Sequence, residues 1–180
     1  MASDPANRRS AEWEMAYPCW DAVILLYTTL MQDALFETWD GELRREILYL
    51  IARDNELLLQ VTGAAHRHAG RIGASVAGFL NRDESPSEGA RRRGQEEIGL
   101  MTPLHFVRRL LVRPPDDVPK YVYLFTSSDW TVRPELPGHV ADLVSLTIAE
   151  IERRLVDEPG AFTPTFPFVF AAYLGARGHE

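Results

Sequence analysis

The chain of 180 residues has one cysteine, no long apolar run and no excess of positive charge. Because Cys19 is alone, no internal disulfide can form, which is typical of the reducing cytosol. The net charge of −7 argues against a nucleic-acid partner, since phosphate backbones are bound by basic surfaces. No segment reaches the ~20 apolar residues of a membrane span, and the first 15 residues lack the apolar core of a signal peptide. We therefore predict a cytoplasmic protein that binds neither nucleic acid nor membrane.

A stripe of apolar residues between positions 20 and 38 has helical spacing. Its members are residues 20, 23, 24, 27, 30, 31, 34 and 35. The stripe predicts an amphipathic helix packed on the core, within an N-terminal extension at 1–42 that precedes a main domain at 43–180. A homodimer contact or a lid over a pocket are the alternative roles of this helix.

The main domain alternates predicted strands and helices without strict repetition. Two apolar runs around a polar turn, "EILYLIARDNELLLQV", predict a β-hairpin. Further strands are predicted at "ASVAG", "LHFVRRLLVR", "KYVYLFTSS" and "HVADLVSL", and helices at "TIAEIERRL" and at the end of "FTPTFPFVFAAYL". The order predicts an α/β fold, a mixed sheet with helices on its faces.

A further helix is predicted over 86–98, within "SPSEGARRRGQEEIG". Ser85 and Glu88 have the spacing of a capping box, Pro86 occupies the first helical position, and Gly99 is a natural terminator. The sequence therefore predicts the residues at which this helix begins and ends.

One face of this helix carries Arg93, Glu96 and Glu97 at positions i, i+3 and i+4. Carboxylates on such a face can hold Mg²⁺, which prefers oxygen ligands and shares its shell with substrate phosphates. The alternative is a solvated face, in which Arg92–Glu96 and Arg93–Glu97 ion pairs each contribute a few tenths of a kcal/mol.

The spacing of the whole stretch resembles the Nudix box, in which Gly, five residues, Glu and seven residues precede a short Arg- and Glu-rich run. The residues that match are Gly78, Glu84, Arg92, Glu96, Glu97, Gly99 and Leu100. The resemblance implies a Nudix α/β/α sandwich, here with an added N-terminal helix, and hydrolysis of a small diphosphate compound with Mg²⁺ or Mn²⁺. It implies catalytic and metal-binding roles for Glu96 and Glu97. It also implies structural roles for Gly78, Glu84, Arg92 and Gly99, with Glu84 pairing with Arg92.

Two positions depart from the box, because Arg93 replaces a Glu and Gly94 replaces an apolar residue. An Arg-Arg pair is normal in the similar type I isopentenyl-diphosphate isomerases, where the resemblance implies that Arg93 contacts the substrate diphosphate. The Cys and His of that chemistry are replaced here by Ala77 and Phe79, and its later carboxylates by Val118 and Lys120. The alternatives to hydrolysis are a non-hydrolytic enzyme acting on a prenyl or related diphosphate, and a binding protein without catalysis.

A basic loop, "AAHRHAGR", precedes the Nudix-like box. We predict that His66, Arg67 and Arg71 contact the substrate diphosphate, with a plain solvated loop as the alternative. Asp116 and Asp117 are interpreted as turn residues, although they are also candidates for a late metal ligand. Glu135 is a weaker candidate for a further catalytic carboxylate.

Overall fold

The computed structural model describes residues 43–99, 104–114, 117–128 and 136–177. The predicted extension at 1–42 with its helix at 20–38, Cys19, Asp116 and Glu135 lie outside the described residues. The described strands are β1 (Arg44–Arg53), β2 (Glu56–Thr62), β3 (Ile72–Gly73), β4 (Val76–Phe79), β5 (His105–Val112), β6 (Lys120–Ser127) and β7 (Val140–Thr147). The described α-helices are α1 (Pro86–Ile98), α2 (Ile148–Asp157) and α3 (Phe166–Arg177), and a short 3-10 helix spans Pro159–Ala161.

The sheet is mixed, as predicted, with strand order β3-β2-β1-β6-β5. Strand β1 is parallel to β6 and antiparallel to both β2 and β4. Strand β7 is antiparallel to β2, and β5 is antiparallel to β6. Since β1 pairs with β2 only near its end and with β4 near its start, the sheet forks on that side of β1.

Alternating residues of β1 enter two cores, one on each face of the sheet. Leu48 and Leu50 pack in the core that contains Ile151 of α2 and Phe170 of α3. Tyr49 and its odd-numbered neighbours pack in the core that contains Ala90 and Ile98 of α1. The helices therefore cover both faces, and the predicted α/β/α sandwich is confirmed. No helix among the described residues is long and apolar enough to cross a membrane.

The strand predicted at 74–78 is wrong in its bounds, because Ala74 and Ser75 separate β3 from β4. The physical reason is the fork in the sheet. The Ser75 hydroxyl accepts a hydrogen bond from the Ile51 N–H at 2.8 Å and donates one to the Leu58 carbonyl. Ser75 thus bridges β1 and β2 at the point where they separate, which leaves a gap between β2 and β4.

Candidate active site

Helix α1 begins and ends at the residues that the sequence predicts. The Ser85 side chain accepts from the Glu88 N–H while the Glu88 carboxylate accepts from the Ser85 N–H, so both halves of the capping box are formed. Pro86 begins the helix. Gly99 ends it with φ 69°, a left-handed conformation that glycine adopts without steric penalty.

The loop before α1 is fastened to the helix by Glu84 and Arg92. The two side chains form a bidentate ion pair, with Nε–Oε1 and Nη2–Oε2 distances of 2.7 Å. Glu84 also accepts from the Asn81 N–H, and Arg92 donates to the Phe79 carbonyl. These bonds hold the 79–84 loop against the middle of the helix and join the end of β4 to it.

This ion pair predicts a specific acid sensitivity. The hydrogen bond from Arg92 lowers the pKa of Glu84 from its ordinary value near 4.5 to about 2. A lowered pKa stabilises the folded state above pH 4.5, and this stabilisation is lost as the pH falls toward 2. We expect Glu84→Gln to lower the free energy of unfolding by about 1–2 kcal/mol at pH 7, since ion pairs near solvent contribute less than their pKa shift implies. The difference from wild type should shrink progressively between pH 4.5 and 2.

Urea unfolding at several pH values measures this effect, and Glu152→Gln is the matched control. Burial raises the pKa of Glu152, so its charge opposes folding at neutral pH and the control substitution should not destabilise the protein there. A Glu84→Gln variant whose stability differs from that of wild type equally at pH 7 and pH 2 would contradict the prediction.

Glu97 fills the gap between β2 and β4. Its side chain is 3% exposed. Its Oε2 accepts a hydrogen bond from Gln60 Nε2 of β2 at 2.9 Å and from the Ala77 N–H of β4 at 3.4 Å. Its Oε1 faces His139 Nε2 at 3.7 Å. One carboxylate oxygen is therefore fixed by the fork in the sheet, while no hydrogen bond from the described residues reaches the other.

Burial raises the pKa of Glu97, and the hydrogen bond from Gln60 and the nearby His139 oppose this effect. The negative charge of Glu97 is therefore only partly compensated by its neighbours. A cation beside Oε1 would therefore favour the charged form. Neither Gln60 nor His139 belongs to a recognisable sequence motif, so sequence reasoning missed both.

Glu96 lies one residue earlier on the more exposed side of α1. Its Oε2 is 3.1 Å from Arg92 Nη1 and 3.6 Å from Arg93 Nη1. The predicted Arg92–Glu96 pair is confirmed, and the predicted Arg93–Glu97 pair is wrong. The Arg93 side chain turns to Glu96 because Glu97 points into the fork of the sheet.

Gly78 makes room for Arg93. A Cβ atom at position 78 would lie 2.7 Å from Arg93 Cδ, well inside van der Waals contact. Arg93 therefore runs across the backbone of β4, and its buried Nε has no hydrogen-bond partner among the described residues. The absence of a side chain at Gly78 thus leaves the space that the Arg93 side chain occupies.

The second departure from the box, Gly94, lies buried beside Tyr49 of β1. Burial raises the pKa of Tyr49, and the Gly94 backbone partly offsets the rise. The fully buried phenol packs where α1 meets the sheet. The large side chain of Tyr49 is thus buried beside position 94, where glycine replaces the apolar residue of the box.

The basic loop is anchored by an ion cluster that comprises Glu46, Arg67, Asp117 and Lys120. Lys120 Nζ lies 2.9 Å from Glu46 Oε2 and 2.7 Å from Asp117 Oδ2, and Arg67 pairs with the same Asp117 oxygen. Burial alone would raise the pKa of Asp117, but the bonds from Arg67 and Lys120 outweigh it and hold the pKa far below its ordinary value. Sequence reasoning missed the roles of Glu46 and Lys120 in this cluster.

The three predicted phosphate-binding residues of the loop have different surroundings. Arg67 is engaged with Asp117, although its side chain is still 55% exposed. His66 accepts from the His68 N–H through Nδ1, and burial followed by the charge of Arg67 lowers the pKa of His66. Arg71 closes the loop through its carbonyl, which accepts from the Thr62 N–H at 2.9 Å.

The site therefore contains Glu97, Glu96 and Arg93 at the end of α1, with His139 facing Glu97. Within the described ranges, no group of three or more His, Cys, Asp or Glu side chains is arranged to hold a metal ion.

Several solved structures have the same architecture as this chain. It is similar to a NUDIX hydrolase from Nitrosomonas europaea, with 17% identity, a TM-score of 0.61 and coverage of 74% of this chain and 90% of that one. A MutT NUDIX hydrolase from Burkholderia pseudomallei has 15% identity, a TM-score of 0.60 and coverage of 73% and 98%. The NUDIX domain of Shewanella oneidensis NrtR, solved with ADP ribose, has 15% identity, a TM-score of 0.55 and coverage of 77% and 90%. At these identities the likeness establishes a Nudix fold.

The sequence itself establishes the family. The family model of the NUDIX domain matches residues 42–166. The chain therefore belongs to the NUDIX domain family. None of the curated proteins compared matches it.

Proposed function

We propose that the chain is a divalent-metal-dependent hydrolase that cleaves a small compound containing a diphosphate. The observation that carries this proposal is the divided environment of Glu97. Gln60 and Ala77 hold one oxygen, while the other faces the side of the site where a cation and a phosphate would meet. Membership of the NUDIX family and the hydrolases among the similar structures support the reaction class.

The residues present fit one cation, either Mg²⁺ or Mn²⁺. Such an ion is usually bound by one or two protein carboxylates and completes its shell with substrate phosphates and water. Glu97 would hold it through Oε1, and Glu96 would assist after exchanging its ion pairs with Arg92 and Arg93. When bound, such a cation polarises the phosphate and lowers the pKa of a water molecule.

Arg93 is the proposed diphosphate contact on α1. Its side chain is 29% exposed and its guanidinium lies next to Glu96, so some of its donors remain available to phosphate oxygens. Arg67, Arg71 and His66 are the proposed contacts on the loop. Arg67 keeps its ion pair with Asp117 in this role, which holds its planar guanidinium in a defined orientation.

The role of Arg93 is tested by Arg93→Glu. We expect KM to rise by about tenfold or more, because a charge-assisted bond to phosphate is lost and a carboxylate is placed beside the substrate. Steady-state kinetics measures the change, with Arg91→Glu, an exposed position on the same helix, as the control. An Arg93→Glu variant with unchanged KM and faster turnover would contradict the proposed contact and mark Arg93 as an obstacle to metal binding.

A second candidate function is diphosphate binding without hydrolysis. It is favoured by one observation, the engagement of Glu96 Oε2 with both Arg92 and Arg93, which makes Glu96 less available to a cation than Glu97. The similar NrtR domain was solved with ADP ribose, which makes that compound a suitable ligand for testing.

Phosphorus NMR separates the two candidates. The protein is incubated with ADP ribose, a nucleotide sugar and a prenyl diphosphate, in the presence of Mg²⁺ or Mn²⁺ and, as the control, of a chelator. Metal-dependent release of monophosphate products is the expected result. Shifted resonances without turnover would instead support the binding function. Release of free pyrophosphate, or a changed carbon skeleton with an intact diphosphate, would identify a non-hydrolytic enzyme.

A further inference from the structure

We propose that His139 is a nitrogen ligand of the cation held by Glu97, and that it biases the site toward first-row transition ions over Mg²⁺. This inference rests on the proposed function, since it concerns the metal that the hydrolase would use. It adds a residue from outside the Nudix box to the site and assigns that residue a measurable effect on metal preference.

The first observation is the spacing of the two donor atoms. His139 Nε2 and Glu97 Oε1 are 3.7 Å apart, which is too long for a hydrogen bond. Two ligands that each lie about 2.1 Å from one cation are separated by about 3.0–3.4 Å. A movement of a few tenths of an ångström, within the freedom of a half-exposed imidazole, would bring both atoms to one ion.

The second observation is that both residues are anchored to the same strand, β2. Glu97 is held by Gln60 of β2. The carbonyl of His139 accepts from the N–H of Gly63, the residue after β2, at 2.7 Å. A Cβ atom at position 63 would lie 2.9 Å from the carbonyl carbon of His139, so the two backbones are in direct contact. The imidazole is therefore placed opposite Glu97 by the end of the strand.

The third step is the chemistry of the donors. Mg²⁺ prefers oxygen ligands, whereas imidazole suits later transition ions. Affinity for a site with nitrogen and oxygen donors increases from Mn²⁺ through Fe²⁺ to Co²⁺. A carboxylate alone at this position would discriminate little between these ions. A strong preference for Co²⁺ over Mg²⁺ would therefore come from the imidazole.

The test uses Co²⁺ and Mg²⁺ themselves as probes of the full chain. Calorimetric titration gives the affinity for each ion, and proton NMR of the Co²⁺-loaded protein detects the strongly shifted N–H proton of a coordinated imidazole. We expect Co²⁺ to bind more tightly than Mg²⁺ and one such N–H signal to be present. His139→Gln should lose the signal and bind Co²⁺ at least about tenfold more weakly, with Mg²⁺ affinity nearly unchanged.

Two controls assign the signal. His105→Gln removes an imidazole on β5, and His66→Gln removes an imidazole of the basic loop; both variants should keep the signal. Loss of the signal in His66→Gln but not in His139→Gln would overturn the assignment to His139. So would Co²⁺ binding that depends on Glu97 but not on His139, although the proposed hydrolase would then survive. If neither ion binds the wild-type protein with or without ADP ribose, both the inference and the metal-dependent function are wrong.

Discussion

Replacing Glu97 by Gln is expected to lower kcat/KM for the diphosphate substrate by at least about 100-fold while leaving the fold intact. A side-chain oxygen of glutamine can still accept the hydrogen bonds that Gln60 and Ala77 donate to Oε2, so the fork between β2 and β4 remains filled. What is lost is the negative charge at Oε1, which the proposed cation requires. Loss of a metal ligand should exceed the 10- to 100-fold effect that is typical of groups that only orient ligands.

The matched control is Glu88→Gln, in the first turn of the same helix. Glutamine is also accepted at the third position of a capping box, so α1 should keep its N-terminal hydrogen bonds. Steady-state kinetics and thermal unfolding should show that Glu88→Gln retains activity and that both variants melt near the wild-type temperature. A Glu97→Gln protein that is folded and as active as wild type would remove Glu97 from the proposed mechanism.

Replacing Lys120 by Met is expected to destabilise the protein by about 3–5 kcal/mol, because a partner is removed from a buried ion pair. The Lys120 side chain is 4% exposed and its Nζ contacts two carboxylates, those of Glu46 and Asp117. Asp117 would keep Arg67 as a partner, but the Glu46 carboxylate, 12% exposed, would lose the cation beside its buried Oε2. Urea unfolding at pH 7 measures the loss.

Two further variants make this prediction specific. Arg108→Met removes an exposed cation from neighbouring β5 and should change stability by less than about 0.5 kcal/mol. Combining Lys120→Met with Glu46→Leu should recover part of the loss, since the uncompensated carboxylate is then absent. If Lys120→Met unfolds at the same urea concentration as Arg108→Met, the ion cluster does not stabilise the fold.

The helix of the site was predictable because its signals are local. Ser85, Glu88 and Gly99 act on backbone groups within a few residues of themselves, so their spacing alone predicts where α1 begins and ends. The Glu84–Arg92 ion pair has the same local character, since its members are only eight positions apart in sequence.

The partner of Arg93 was not predictable in the same way. Glu96 and Glu97 are both within reach of position 93 on a helix. Gln60 and Ala77 decide between these two partners, because their hydrogen bonds draw the Glu97 carboxylate into the fork of the sheet. They lie 37 and 20 positions before Glu97 in the sequence. Helical spacing carries no information about that fork.

The ion cluster and His139 were missed for a related reason. Lys120 meets Glu46 only because β1 and β6 pair in parallel with Arg44 opposite Lys120. His139 reaches Glu97 only because the end of β2 holds its backbone. Single charged residues with no fixed spacing have no sequence signal of their own, and tertiary pairing alone brings them together.

The most direct test of the central proposal is hydrolysis in ¹⁸O-labelled water, followed by phosphorus NMR of the products. The wild-type protein with ADP ribose and Mg²⁺ or Co²⁺ should give one phosphate product that carries ¹⁸O, and Glu97→Gln should give almost none. Labelled product would establish attack by water on a diphosphate at the Glu97 site. Products without the label, or equal labelling by wild type and Glu97→Gln, would contradict the proposed hydrolase.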